Sequence, residues 1–430
     1  MQLVFFEPHK LWYKTTVSNF VERTKCVDKY EHLFDYEYKH NDSVYVFVAG
    51  HIEALRFYSW VLLNGMKPSR FRVVSALSDL GPEHVLLMFV YGTFSNLIGI
   101  LSEAQQQFIG ALSTVRAYKV VHLSHYAYNA PVAARATRQA GVDLFISENN
   151  LTKNSPFFRT YFDWYQRDVY VLPFVPQGRF RRRTQHSERT CKALAVGTIT
   201  WPMKDEAFAS FFGHNQLQPM RELIFTNADA LSQQIDSQIS RLTPPPNPEA
   251  GGISGRTPIL TSRGYAAARH VTQRVRTASI VFAGIASARF RKRWQRLGKN
   301  ERDYYKRDIV TLLNTYTMFV CPEEAVNLPG IGFVEGMACG TAFIGTNDPM
   351  YADLGMRDKE HFIAYDGSLE DLLEKVSYYQ EHRGELENIA ERGRLFVEDH
   401  FRGEDVCSAF AEYIRARIGS GRQDSEQSRH

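Results

Sequence analysis

From Val44 to Leu172 short apolar runs alternate with longer stretches of helical periodicity. The runs Val44 to Val48, Phe71 to Ser75, Val85 to Tyr91, Lys119 to Leu123, Leu144 to Ser147 and Val169 to Leu172 predict buried parallel strands. A strand covered on both faces reads as continuously hydrophobic, not alternating. Between them lie helix candidates at Ile52 to Leu63 and Pro131 to Ala140. The latter opens on Pro at a helix start and closes at Gly141. The second half repeats the pattern. A strand-turn-helix at LAVGTITWPMKDEAFASFF is followed by predicted strands at Leu223 to Thr226, Ser279 to Ala283, Met318 to Cys321, Ala342 to Gly345 and His361 to Tyr365.

Such alternation predicts an α/β protein built of two Rossmann-like, doubly wound domains. Residues 1–178 form the first and 191–402 the second, with a helix at 403–418 and a flexible tail at 419–430. The Pro-, Gly- and charge-rich segment 174–190 reads as a linker, and Leu242 to Pro258 as a mobile loop. There are no internal repeats. FDYEY alternates like a strand, so Asp35 and Glu37 read as its solvated face.

Composition narrows the classes. At 430 residues the chain has room for two or three domains of the usual size, about 100 to 200 residues each. A hydrophobic fraction of 44% and a charged fraction of 23% exclude a disordered chain. The net charge of +4 is too small for a dedicated nucleic-acid binder, so no nucleic-acid partner is expected. The five cysteines are widely spaced, without a CxxC pair or zinc-type spacing, which fits a reducing cytoplasm and no metal site. The apolar run at the N-terminus is cut off by Glu7 and Pro8, too short for a signal-peptide core. No window approaches the ~18 to 20 apolar residues of a membrane span, so the protein is expected to be cytoplasmic, soluble or peripheral to a membrane.

The segment Met318 to Thr346 carries the most chemistry. A strand ends at Cys321-Pro322, a Gly-bearing loop follows, and a helix begins near Gly332. In parallel sheets ligands bind at the carboxyl ends of strands, so the loop Glu323 to Ile331 is well placed. Gly330 and Gly332 let backbone approach a ligand, and the N–H groups opening the helix, with Ile331 between the glycines, favour an anion. Glu335, one turn in, suits a pair of ribose hydroxyls. Alternatively, the glycines serve packing alone.

NLPGIGFVEGMACGTAFIGT resembles the donor-site signature of retaining nucleotide-sugar glycosyltransferases of the GT-B fold, two glutamates separated by seven residues and followed by an AMACG-like helix. The resemblance assigns Glu335 to the donor ribose. Asn327 stands in place of the first glutamate, which contacts the sugar ring. AVGTITWPMK resembles the family's strand and loop that bind phosphate: Gly197 and Lys204 match, but Thr198 stands where an arginine follows the glycine. Two cations suit a pyrophosphate better than one. The departure is therefore compatible with a substitute arginine, for instance from Arg289 to Lys299, or with a single-phosphate donor such as a CMP-sugar. VVHLSHYAYN carries His122 and His125, and the family often places a histidine here facing the donor sugar; His125, beyond the strand, matches better.

The resemblance thus implies two Rossmann-like domains facing across a cleft, with the last helix, about Gly403 to Arg417, a candidate to cross back. It implies sugar transfer from a nucleotide sugar to a glycan or lipid-linked saccharide acceptor, as in surface polysaccharide or glycoconjugate synthesis. Transfer would be retaining, with Lys204, His125 and Asn327 as catalytic residues and with neither cofactor nor metal. Two basic clusters, Arg179 to Arg183 and Arg289 to Lys299, suggest a peripheral contact with an anionic membrane surface or glycan, or ordinary packing of an amphipathic helix. The rivals are a nucleotide-sugar epimerase on the same fold and a catalytically silent protein that binds a glycan or partner, the latter suggested by Asn327 and Thr198. Phosphate-loop, GxSxG and HExxH motifs are absent from the sequence.

Overall fold

The computed structural model describes residues 2–6, 31–47, 54, 57–58, 61–62, 66–95, 101, 103–242 and 308–427. The strand predicted at Ser279 to Ala283, the basic segment Arg289 to Lys299 and almost all of the loop Leu242 to Pro258 lie outside them, as do parts of the helix predicted at Ile52 to Leu63. By its contacts the chain divides into two compact units. One includes Met1–Phe145 and Ala411–His430, the other Ile146–Pro246 and Asn300–Phe410.

The first sheet has seven strands: β1 (Gln2–Phe6), β2 (Val44–Phe47), β3 (Phe71–Val74), β4 (His84–Phe89), β5 (Tyr118–His122), β6 (Leu144–Ser147) and β7 (Tyr170–Val171). Their order is β3-β2-β1-β4-β5-β6-β7, the doubly wound arrangement. β1 lies near the centre, parallel to β2 on one side and β4 on the other. Its run LVFF, too short for a leader, is the right length for a buried strand: Leu3, Val4 and Phe6 are in the core.

FDYEY is not a strand. It belongs to helix α1 (Glu31–His40), whose buried face is Leu33, Phe34 and Glu37, spaced for successive turns. Asp35 is exposed and Glu37 buried, so the two carboxylates do not share the solvated face predicted for them. Burial pushes the Glu37 carboxyl up to about 7, against the opposing pull of Arg415 and a 2.7 Å hydrogen bond donated by Asn41. Helices α2 (Glu103–Leu112) and α3 (Ala130–Ala140) follow. The second starts and ends where the sequence predicts: the Asn129 side chain caps Val132 N–H, and Gly141 takes the left-handed conformation (φ 66) at its end.

In the second unit β8 (Thr190–Ile199), β9 (Ile235–Arg241), β10 (Tyr316–Val320), β11 (Ala342–Thr346) and β12 (Ile363–Tyr365) lie in the order β12-β11-β10-β8-β9, with all four pairs parallel. Among the described residues the helices after β8 are α4 (Glu206–Phe212), α5 (Pro219–Thr226), α6 (Ile309–Thr315), α7 (Gly332–Ala338), α8 (Pro349–Asp353), α9 (Leu369–Glu381), α10 (Arg383–His400) and α11 (Gly403–Gln427). Phe319 and Phe343 pack into one core cluster, while Met318, Val320 and Ile344 pack into another. The strands alternate sides, so both faces of this sheet are covered, as their unbroken hydrophobicity requires.

Two expectations change here. Leu223 to Thr226 is the second half of helix α5, not a strand: Pro219 opens the helix, and Met220 and Ile224, one turn apart, are buried. A four-residue apolar run does not distinguish the two. The strand is instead β9, whose sequence IDSQISR hides two buried isoleucines, Ile235 and Ile239, among polar residues. The last helix runs on past Arg417 to Gln427, through residues read as a tail.

Segment 174–190 is packed, not a free linker. Phe174 and Phe180 enter the core of the second unit, and Arg182 pairs with Glu391 at 2.8 Å. At its end Arg189 is 6% exposed. Its guanidinium donates to the carbonyls of Thr184, Leu313, Gly340 and Cys339, to Tyr316 O, and to the side chains of Thr341 and Asn314.

Two stability predictions follow from these buried groups. Arg189→Met should leave several buried carbonyls without a donor and cost roughly 3 kcal/mol or more in urea unfolding. Glu37 has a folded-state pKa above the value of 4.5 it has when unfolded, so its contribution is fully present below about pH 4.5 and falls as pH rises to about 7. Glu37→Gln should remove that slope and raise stability at pH 8 by up to about 3 kcal/mol, with little change at pH 4.5, read from melts at both pH values.

Candidate functional site

β8 and β10 are neighbours, and the chain continues from β8 to β9 on one side while β11 and β12 extend the other. The carboxyl ends of β8 and β10 therefore form the switch point where open parallel sheets bind ligands. Both stretches that carry the predicted donor residues reach this point, one across the end of β8 and the other in the loop after β10, although Thr198 and Glu335 are far apart in sequence. Gly197 and Thr198 close β8, and Gly197 has φ 143, a conformation that favours glycine. Lys204 is exposed in the following loop. On either side of it the loop is pinned: Met203 N–H donates to Asn215 O at 2.7 Å, and Asp205 caps α4.

After β10 the chain turns through Glu323 to Ile331 into α7. A Cβ at Gly330 would lie 2.6 Å from Cys321 Sγ, and one at Gly332 2.8 Å from it. Both glycines are thus required by packing on a buried sulfur, whatever else they admit. Burial pushes the Cys321 thiol up, as do the nearby Glu323 and Glu335 carboxylates, while Arg221 and the Gly332 N–H oppose them.

Glu335 lies in the first turn of α7 and is 2% exposed. Glu323 accepts hydrogen bonds from Thr346 N–H at 3.1 Å and from the Tyr351 hydroxyl. Burial raises its pKa against those two bonds.

Asn327 has left-handed backbone (φ 63), which asparagine tolerates better than most residues. Its amide donates to Asp348 Oδ2 at 2.8 Å, and its carbonyl accepts from Asn149 Nδ2 at 2.9 Å. A glutamate here would set a second carboxylate against Asp348, which gives a physical reason for the departure at this position. Asn327 also lines a cavity of about 380 Å³ with Glu323, Asp348, Asp366 and the helix end at Pro219 and Met220. Of the residues predicted for the donor site, Asn327 alone lines this cavity.

Arg221, on α5, was not singled out in the sequence because its helix read as the approach to a strand. Its Nη1 donates to Thr198 O at 3.2 Å and its Nη2 to Pro322 O at 2.8 Å, bridging the ends of β8 and β10.

His125 belongs to the first unit, in the turn after β5, with φ 54. Its ring stacks on Tyr128 and meets Tyr91 edge-on. His122 is buried, its Nδ1 accepting from Ser124 N–H at 3.0 Å. In the basic cluster Arg179 to Arg183, Arg182 is taken up by Glu391 and Arg179 lies over the Phe180 ring. Among the described residues no group of three or more His, Cys, Asp or Glu is placed to hold a metal ion. No described helix is long and apolar enough to cross a membrane.

Several solved structures resemble the chain. The Anabaena protein HepE, crystallised with UDP and glucose, is 12% identical, with a TM-score of 0.48 over 96% of this chain and 99% of that one. A glycosyltransferase from Rickettsia africae is 12% identical, with a TM-score of 0.45 over 97% of this chain and 98% of its own. TarM is 7% identical, with a TM-score of 0.41 over 84% of this chain and 58% of that one. No curated protein matches the chain. The family model described as Glycosyl transferase-like matches residues 266–410, a stretch that contains Asn327, Glu335 and the whole of α7.

Proposed function

We propose that the chain is a glycosyltransferase that moves a sugar from a nucleotide-sugar donor to a glycan or lipid-linked saccharide acceptor, with retention and without a metal. One observation carries this reading: of the two sequence stretches that resemble the family's donor signature, one spans the carboxyl end of β8 and the other begins in the loop that leaves the adjacent parallel strand β10, at the switch point of the second sheet. The match of residues 266–410 to a glycosyl transferase-like family supports it.

In this reading Glu335 holds the ribose hydroxyl pair. In so buried a setting a carboxylate gains more from such donors than it would in water. The exposed Lys204 stabilises the phosphate that departs. The bond from the anomeric carbon to the phosphate oxygen breaks, a bond from that carbon to an acceptor hydroxyl oxygen forms, and the acceptor's proton passes to the leaving phosphate. Asn327, its amide committed to Asp348, offers a sugar hydroxyl its remaining donor and its oxygen. His125 belongs to the other unit. Sugar acceptors on lipids would bring the protein to an anionic membrane surface.

Two measurements test the reading. In thermal-shift assays with UDP, GDP, ADP, dTDP, CMP and NAD, one nucleotide should raise the melting temperature, with or without EDTA, and Glu335→Gln should abolish the shift. A ligand at about 100 times its Kd adds roughly 2.7 kcal/mol, well within detection. Lys204→Ala should remain folded and lose about a hundredfold or more in transfer rate. Normal turnover by Lys204→Ala would overturn its role. Nucleotide binding without transfer or hydrolysis would favour a silent binding protein, and a response to NAD alone would overturn the donor assignment.

A further inference from the structure

We infer that Arg221 is the cation that holds the donor's phosphates, and that the donor is therefore a nucleoside diphosphate-sugar, not a single-phosphate one. The inference rests on the donor site proposed above and names the residue and substrate class at that site.

The argument begins with position. The switch-point crevice is bounded by the ends of β8 and β10, and the Arg221 guanidinium spans them, donating to Thr198 O at 3.2 Å and Pro322 O at 2.8 Å. Both flanking loops make room for it. A Cβ at Gly197 would lie 3.1 Å from Nε, and one at Gly330 would lie 3.3 Å from Nη2. Arg221 thus touches the glycine of each of the two segments that the sequence associates with phosphate.

Charge and donor count point the same way. A guanidinium has five N–H donors, and two are used here, on neutral carbonyls. Nε is buried and has no hydrogen-bond partner among the described residues. Among those residues no carboxylate pairs with Arg221, so no described ion pair cancels its positive charge. The side chain is only half-buried, and the planar fork suits the paired oxygens of a phosphate.

Lys204 is exposed in the loop after β8, and a pair of cations suits a diphosphate better than a single phosphate. Thr198 no longer marks a lost contact: the side chain that would have come from the strand end comes instead from the neighbouring helix α5.

The rival reading is that Arg221 only straps two strands together, and the test must separate strap from ligand contact. The intact chain, Arg221→Met and Arg221→Lys are titrated with uridine, guanosine, adenosine and cytidine and with their mono- and diphosphates. The wild type should prefer one diphosphate over its nucleoside. Arg221→Met should weaken that diphosphate by about tenfold to a hundredfold while changing the nucleoside less than about threefold, and Arg221→Lys should fall between. A strap would lower the melting temperature and leave the ratio of the two affinities unchanged, which would overturn the inference with the donor site intact. Tight binding of CMP without any diphosphate would do the same. Should Arg221→Met fail to fold, the ratio for Arg221→Lys decides. Failure of the wild type to bind any nucleotide would instead defeat the donor site itself, along with the inference.

Discussion

The second unit depends on a positive charge that has been taken out of water and, among the described residues, given no carboxylate partner. Arg189 answers its burial with backbone carbonyls, and those carbonyls come from the end of α6, the start of β10 and the end of α7. Each carbonyl dipole offsets part of the desolvation cost, which burial expresses as a lowered pKa for the guanidinium. The same contact fixes where β10 begins and where α7 stops. Between those points lie the loop with Asn327, both packing glycines and Glu335, so the geometry of the candidate site is set from behind by a residue that does not belong to it.

Much of the architecture was legible because parallel strands buried on both faces announce themselves. VYVFV, KVVHL, LFIS and AFIGT all became strands within a residue or two of their apolar runs. What escaped were elements whose pattern supports two readings. Leu33, Phe34 and Glu37 lie on one helical face, yet FDYEY also alternates. β9 is half polar because only two of its side chains are fully buried, and β1 was weighed only as a leader.

The site was legible to the same degree. The signature around Glu335 and the loop around Lys204 could be recognised along the chain, since both are contiguous. Arg221 could not, because its relevance lies in a helix folding back across the ends of two strands, and nothing in PMRELIFT states that. Asn327 is an intermediate case. Its departure from the expected glutamate was visible, but the reason for it, a hydrogen bond to Asp348 from a left-handed residue, is a property of the folded loop.

The sulfur beneath the loop has a consequence for how this chain can vary. Cys321 occupies the space that side chains at 330 and 332 would otherwise fill, so the three positions share one small volume. A larger residue at 321 would push the loop outward, and a methyl group at either glycine would demand a smaller residue at 321. The three must change together or not at all. Among homologous chains this becomes a pattern of correlated substitution: alanine or serine at the loop glycines should accompany loss of the sulfur, and the shape of the ligand-facing loop should be inherited as a single unit.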